Sequence, residues 1–580
     1  MQQPARSFYK FRQSKRYLVV GLFPLFDHNT ILELLNRQTK GRVGHFLAVH
    51  QNAALLYQLA GFTVGTAQLG ANHGSQQANL TVLDQCGIQL GGRHVLVVGY
   101  GGAGACAAIT AHDAGAKVLI VEKMKEGGGN TAVSSGGFMI PKNEADALTY
   151  LNATYDFADS EKDPELLKVF CKEIMGVKSF MEGLKPDTKL WVYGHAGFQN
   201  LKGWEAIDKW RVRGKKRGGD CLFDLYRYAV EENRRIPIML NTAVKQLIKN
   251  GDEVVGVVAV ADGKEINIKA KRAVILACGG YEFDQESLTT FAQGHKFHAL
   301  GNPGNTGDGV RLAQSAGARL WHMTAYSCPL GCELPGCKAA MQIQMMSPSF
   351  IWVDQDGKRF CDEFSADGHT RAYMVNRFDP ITHRYPYIPC YVVFDDVAFK
   401  RGPIGSITSG YSVNREGYKW SFDNSKEVAS GVIKKADSLK ELAKIIGVPA
   451  ENLEASVKKW NEDVKAGKDT QFARPIHNPH KSVVHIERKS GSIVSAPLAE
   501  NGPYYAIVLY PTMLNTQGGP KKDVNGHVMT PENKPVPRLY AAGELGSMWG
   551  NIYQGATNNA ECIVFGRLAG RAAAAEKSWS

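Results

Sequence analysis

The chain has 580 residues, 44% of them hydrophobic, 21% charged and 9% aromatic, a globular composition that excludes disordered, fibrous and low-complexity classes. Sixty-eight Lys and Arg against 56 Asp and Glu give a formal net charge of +12. Part of that excess is N-terminal (Arg6, Lys10, Arg12, Lys15 and Arg16 precede the first acid, Asp27), and no basic stripe or recognised module points to nucleic acid.

Residues 1–90 read as an accessory segment without evident chemistry. ILELLNRQ and NAALLYQLAG suggest short helices and ANHGSQQANLT a polar loop. Residues 17–26 follow a basic stretch and imitate an export signal. Pro24, Asp27, His28 and the lack of a small-residue cleavage site argue against one. No run reaches the roughly 18–20 apolar residues of a membrane span, although the basic excess leaves peripheral attraction to an anionic membrane open.

At His94 the texture changes. An apolar strand, His94–Val98, enters a glycine turn; an Ala-rich helix follows, then a second strand, Lys117–Val121, ending in Glu122. Residues 160–235 read as mostly helical, and 253–260 and 273–280 as strands. From 321 to about 490 the chain is rich in aromatics and prolines, with a helical run over 440–464. Residues 506–520 and 538–545 again read as strand and glycine turn, and a final helix spans Asn559–Ala575. These elements predict an α/β fold with residues 91–320 as the first part of a cofactor domain, 321–490 as an inserted substrate domain, and 491–580 as the second part of the cofactor domain.

Gly99, Gly101 and Gly104, with Gly102 and Ala103 between them, form G-x-G-x-x-G directly after a strand. The first glycine permits a tight turn, the second lets backbone approach a pyrophosphate, and the third lets helix pack on strand. The helix N-terminus then favours the anion. Glu122, followed by Lys123, sits where an acid accepts hydrogen bonds from ribose hydroxyls. The loop EGGGNTAVSSGGFMIPKN supplies Asn130, Thr131, Ser135, Gly136 and Gly137 to cover the pyrophosphate and reach toward a flavin ring. AAGE offers Gly543 and Glu544 to a ribityl chain. The last helix, opening at Asn559, Cys562 and Ile563, points its positive end at the N1/O2 edge of a reduced flavin. These features favour non-covalent FAD over NAD; Val244 joins the expected lining, with Asp308 in GNTGDG ordering a turn beside it. Eleven mostly scattered cysteines fit a reducing, cytoplasmic setting, and CPLGCELPGC matches no zinc spacing, so no metal is expected.

VVGYGGAGACAA, VEK, GGGNTAVSSGG, ILACGGYE, GNPGNTGDGVRLAQSAGA, GKRFCDE, GPYYAI, TQGG and AAGELGS…FGRLAG together resemble the fumarate reductase/3-ketosteroid dehydrogenase superfamily of FAD-dependent oxidoreductases. The resemblance runs from about 94 to 575, with SSGGFMIPKN and YQGAT leaning toward the ketosteroid dehydrogenase branch. It implies a Rossmann-like FAD-binding domain on a parallel central sheet, with an inserted α+β capping domain. It also implies hydride exchange at a CH–CH or C=C bond beside a carbonyl, the proton being moved by a side chain.

In ketosteroid dehydrogenases a tyrosine and a glycine N–H of a Y-A-G-P-G stretch polarise the carbonyl. The matching stretch here, Tyr553-Gln554-Gly555-Ala556, is two residues shorter, and Tyr553 and Gly555 are carried over from it. Fumarate reductases place an arginine in that region and a histidine pair before T-x-G-G. This chain has no arginine between Trp549 and Thr557, and Leu514 and Asn515 precede Thr516, so a dicarboxylate would lack its clamp. The proton-transfer position after GKRFxxE falls on Asp367, which would serve if burial raised its pKa, or, with a loop shift, on Arg371. His195 and His369, in glycine-containing loops, are further candidates, and Arg359 with Glu363 reads as a structural pair. The expected activity is that of a ketosteroid dehydrogenase-like enzyme on a bulky apolar ketone or enone, with an external electron acceptor or donor. An enoate-type ene reductase and a non-catalytic flavoprotein are the alternatives.

Overall fold

The computed structural model describes residues 10–13, 16–19 and 94–579, apart from 159–160, 217, 293, 295, 407–411 and 480–490. The short helices and polar loop expected before residue 90, and most of the export-like run, lie outside the described residues. The chain divides into two compact units, Met1–His73 and Gly74–Ser580. In the first, strands Lys10–Gln13 and Arg16–Val19 pair antiparallel.

The second unit is built on the expected strand–turn–helix–strand. Strand β1 (Val95–Val98) and strand β2 (Val118–Val121) are buried at every position, as continuous Val/Leu/Ile runs in parallel sheets are. Helix α1 (Gly102–Asp113) joins them. β3 (Ile238–Met239) extends the parallel sheet beyond β2, and β4 (Ala273–Leu276) lies on the other side of β1. β5 (His527–Met529) and β6 (Pro535–Ala541) complete a six-stranded sheet of order β5-β6-β4-β1-β2-β3, parallel except for β5. Helix α2 (Thr557–Ala575) returns along α1 through small residues. A Cβ on Gly566 would come within 2.7 Å of the Ala103 carbonyl oxygen. Residues from both ends of the unit therefore make one cofactor domain, with the sheet buried between α1/α2 and the layer packed on its other face.

The inserted layer centres on strand Tyr504–Met513. Leu330–Cys332, Cys390–Asp395 and Ile433–Ala436 pair with it antiparallel, and His298–Ala299 parallel. That strand lies past residue 490, so the layer draws on chain beyond the expected boundary; an apolar run such as AIVLY carries no mark of the sheet it joins. The helical run expected at 440–464 is two helices, Leu439–Ile446 and Ala450–Lys465, divided where Gly447 takes φ +78° before Pro449. Residues 160–235 differ from the helical expectation. Lys189–His195 and Ile207–Arg213 are strands that pair antiparallel and join Phe138–Pro141 in a three-stranded sheet. KLWVYGH and IDKWRVR carry the β-branched and aromatic residues that suit a pleated surface, and the helices flanking them mask that short signal.

Among the described residues no helix is long and apolar enough to cross a membrane.

Candidate active site

The turn after β1 is shaped by contacts only glycine tolerates. Gly99 has φ +107°, and a Cβ on Gly104 would strike the Gly99 carbonyl oxygen, so α1 packs directly on the turn. α1 starts without a side-chain cap and without an acid in its first turn. Its free N–H groups and positive dipole end face a cavity lined by Gly99, Gly101, Gly102, Ala103, Glu122 and Lys123. Asn130, Thr131, Val244, Asp308, Glu544 and Cys562 close the same cavity from distant parts of the chain.

Glu122 accepts from the backbone N–H groups of Tyr100 and Met124, each at 2.8 Å, which leaves acceptor capacity on both oxygens for ribose hydroxyls. Burial raises its pKa above the ordinary value, and the two N–H groups oppose that. Lys123 donates to Thr306 at 2.7 Å and to Asp308 at 2.6 Å, and Arg311 also holds Asp308 at 2.9 Å.

A second cavity continues from the first, sharing Asn130, Thr131, Glu544 and Cys562, and adds Ser135, Gly137, His369, Tyr553, Asn558 and Asn559. α2 begins here without a side-chain cap. Asn558 lines this cavity, and neither its amide oxygen nor its amide nitrogen has a protein partner. The expected cofactor residues that lie outside both cavities pack instead. Gly104 sits under the turn, Gly136 against Gly218, Gly543 against Ala103, and Ile563 is fully buried in the α1–α2 contact.

Between the cavities lies a buried acidic pair. The Asn130 amide nitrogen donates to Glu282 and to Glu544, each at 2.8 Å; Asn305 donates to Glu282 at 2.8 Å and Thr516 N–H to Glu544 at 3.1 Å. Glu282 Oε2 accepts from no protein donor, and neither acid has a cation partner among the described residues. Burial pushes Glu544 up to about 8 and Glu282 well above the carboxylate range, with Glu544 adding to the rise at Glu282.

The reacting end is set by the loop 367–371. Asp367 accepts from His369 Nδ1 at 2.7 Å and from the His369 backbone N–H at 2.9 Å. Burial works to raise the Asp367 pKa, but His369 and the charge of Lys209 outweigh it and hold the group well below the ordinary range. The condition under which Asp367 itself would move the proton, a pKa raised by burial, is not met: the carboxylate is committed to a histidine. With Nδ1 donating, Nε2 is the acceptor of the ring in its neutral form. Its Cε1–Nε2 edge faces Gly555, 2.9 Å from where a Cβ there would sit. The His369 ring stands edge-on to Tyr553, centroids 5.2 Å apart.

Arg371 lies elsewhere, its guanidinium 5.3 Å from the centroid of Trp352 and lining the outer clefts. His195 is occupied with Asp208 at 2.9 Å. Gln554 is a strut: its side-chain oxygen accepts from Gly197 N–H at 2.6 Å and Tyr150 hydroxyl at 3.1 Å. Arg359 sits in a fully buried network with Glu363 at 2.9 Å and Asp469 at 3.0 Å, a structural role.

Two side chains that sequence reading passed over lie near this site, behind its lining. Lys209, opposite Met139 in the three-stranded sheet, has its pKa lowered by burial, while Asp367 opposes the shift. Arg211, on the same strand face, stacks 3.9 Å from the centroid of Tyr193, whose hydroxyl lies over Gly137. Neither forms an ion pair among the described residues. Alternating cations on a short strand look like an ordinary solvated face, so no motif marks them.

The family described as FAD binding domain matches residues 94–559, nearly all of the unit just described. The chain belongs to that family. The cavity fits the group, since glycine backbone, two uncapped helix N-termini, Glu122 and the unpartnered Asn558 amide are the donors and acceptors that would hold its pyrophosphate, ribose and ring edges. FAD is the cofactor. Among relatives, the NADH:fumarate oxidoreductase of Klebsiella pneumoniae is 28% identical over 495 residues, covering 83% of this chain and 47% of that protein. The chain thus spans about half the length of that relative. The 3-oxosteroid 1-dehydrogenase of Mycolicibacterium smegmatis is 26% identical over 563 residues, covering 82% of this chain and 96% of that protein. The crystal structure of 3-ketosteroid delta1-dehydrogenase from Sterolibacterium denitrificans in complex with 1,4-androstadiene-3,17-dione superimposes with a TM-score of 0.72 at 23% identity. It covers 83% of this chain and 99% of that one, and establishes the FAD-domain-plus-cap fold.

Proposed function

We propose that the protein oxidises or reduces a C–C bond next to a carbonyl, with a bulky apolar ketone or enone of the 3-ketosteroid type as substrate. The observation that carries this is the His369 edge facing Tyr553 and Gly555, with the flanking loop residues Asp367, Gly368 and Thr370 lining a large cleft. That cleft, of about 1210 Å³, is lined by Phe157, Phe198, Leu201, Trp204, Ile343 and Phe364 beside Asp367, room for a multi-ring skeleton.

In this reading Tyr553 donates to the substrate carbonyl oxygen, with Gly555 N–H as its neighbour, and so stabilises the negative charge that develops there. His369 Nε2 takes the proton from the carbon beside the carbonyl, and the Asp367 carboxylate steadies the imidazolium that results. FAD, when bound, supplies the two-electron acceptor or donor, and an external partner renews it. In this reading the cofactor is held without a covalent bond.

A second reading, an enoate-type reductase on an unsaturated acid, is favoured by Lys209 and Arg211, cations near Asp367 and Gly137 without ion-pair partners among the described residues. Anaerobic mixing separates the two. A saturated 3-ketosteroid should bleach the flavin absorbance, and an unsaturated acid should leave the dye-reduced enzyme reduced. The reverse pattern would discard the ketone.

A further inference from the structure

We infer that Gln554 and Tyr150 are positioning residues that tie the wall of the large cleft to Tyr553, so that a change in the wall is felt at the carbonyl-binding hydroxyl. This rests on the ketone reading above.

Among the described residues no side chain lines both the large cleft and the Tyr553 cavity. Gln554 stands between them. It is 1% exposed, and it separates Tyr553 from Gly555, the two groups that the ketone reading places on the carbonyl. Its side-chain oxygen accepts from the Gly197 N–H at 2.6 Å and from the Tyr150 hydroxyl at 3.1 Å. The Tyr150 oxygen in turn accepts from the Phe198 N–H at 3.1 Å. Gly197 and Phe198 belong to the cleft wall. Two successive backbone donors of that wall are thus satisfied, directly or through Tyr150, by one amide oxygen of the Tyr553 stretch. Tyr150 is fully buried, and burial raises its pKa above the ordinary phenol value, so its hydroxyl remains a donor.

The stretch is braced beyond Gln554 as well. The Gln554 carbonyl accepts from the Thr557 hydroxyl at 2.7 Å, and the Ala556 carbonyl from the Met139 N–H at 3.1 Å. Both outside anchors belong to the three-stranded sheet: Met139 lies on its strand Phe138–Pro141, and Gly197 in the loop leaving Lys189–His195. Between them Ala556 takes φ +83°, a left-handed conformation that a residue with a Cβ keeps only where its surroundings impose it. The backbone from Tyr553 to Ala556 therefore follows one course. Neighbouring Cα atoms are about 3.8 Å apart, so a shift of the Gln554 anchor carries Tyr553 with it. A misplacement of about 1 Å at a reacting group is enough to cost about 100-fold in rate.

Two measurements on the FAD-loaded full chain test this, with thermal melts and flavin content showing that each variant is folded. The first is a double-mutant cycle on turnover of 5α-androstane-3,17-dione with an artificial electron acceptor. Gln554→Leu and Tyr150→Phe should each lower kcat about 10- to 100-fold at nearly unchanged KM, and cost nothing further in a Tyr553→Phe background. Gln554→Glu, whose carboxylate still accepts both hydrogen bonds, should restore most of the rate. Tyr150→Phe removes a single oxygen and keeps the cycle readable if Gln554→Leu does not fold. The second measurement reads Tyr553 without turnover. In fluorotyrosine-labelled protein the fluorine resonance missing from Tyr553→Phe marks that ring. Gln554→Leu should shift it, and Phe198→Ala at the wall should shift it in the wild type but not in Gln554→Leu. The coupling is overturned by equal losses in the two backgrounds, by a Tyr553 resonance that ignores Gln554→Leu or Phe198→Ala, or by one that follows Phe198→Ala whether or not Gln554 is present. Shifted resonances in a protein whose wild type does not turn over the ketone would keep the coupling and discard the ketone reading.

Discussion

Asp367 determines what His369 is able to do. Because the carboxylate is held ionised and takes Nδ1–H, the ring presents Nε2 to the cleft in one tautomer. Asp367→Asn should keep the flavin spectrum and lower kcat by at least about 100-fold, since an amide fixes the wrong tautomer as readily as the right one. Asp367's own pKa is depressed, so its protonation lies below the pH range of an ordinary assay and should not shape the acid limb of the rate profile. An acid limb that vanishes in Asp367→Asn would contradict this. Tyr553→Phe should reduce kcat/KM for a ketone by about 100- to 1000-fold at unchanged FAD affinity; full turnover would remove the carbonyl-binding role. The glycine turn and Glu122 were legible in sequence because their signals are local, whereas Tyr553 came from the family resemblance alone. The Asp367–His369–Lys209 grouping was not, since it depends on strand Ile207–Arg213 meeting a loop more than 150 residues away.

At the scale of elements, the cofactor domain depends on how closely α1 and α2 approach. Their interface is written in small residues: Gly566 lies on Ala103 and Gly570 on Ala107. Gly566→Ala should force the helices apart, cost about 1–3 kcal/mol in a urea melt and loosen FAD, read as flavin released on gel filtration. A wild-type melt with full flavin would show that the contact yields freely. The parallel strands were readable because continuous apolar runs of four or five residues bounded by glycine have few other homes. The strands at 189–195 and 207–213 were not, because their alternation is short and mixed with charge.

For the whole molecule, the buried Glu282–Glu544 pair ties stability to pH. Both acids have pKa values raised by burial, from 4.5 up to about 8 at Glu544. In the folded protein they hold protons that the unfolded chain gives up near 4.5, so their contribution is complete below that pH and is lost as pH rises through about 8. The negative charge of Glu561, which pairs with Lys522 at 3.0 Å, adds to the rise at Glu544. Urea unfolding of the cofactor-free chain should show stability falling between pH 6 and 9, with a shallower fall in Glu282→Gln. Parallel slopes would show that the pair does not hold the proton.

The cofactor cradle draws its first wall from β1 and its last from α2, and β4 has β6 as a neighbour across some 260 intervening residues. During synthesis, then, the nascent chain exposes a glycine turn with nothing to close it until residues 535–575 have cleared the ribosome exit tunnel. Chains stalled or terminated before residue 535 should therefore emerge colourless.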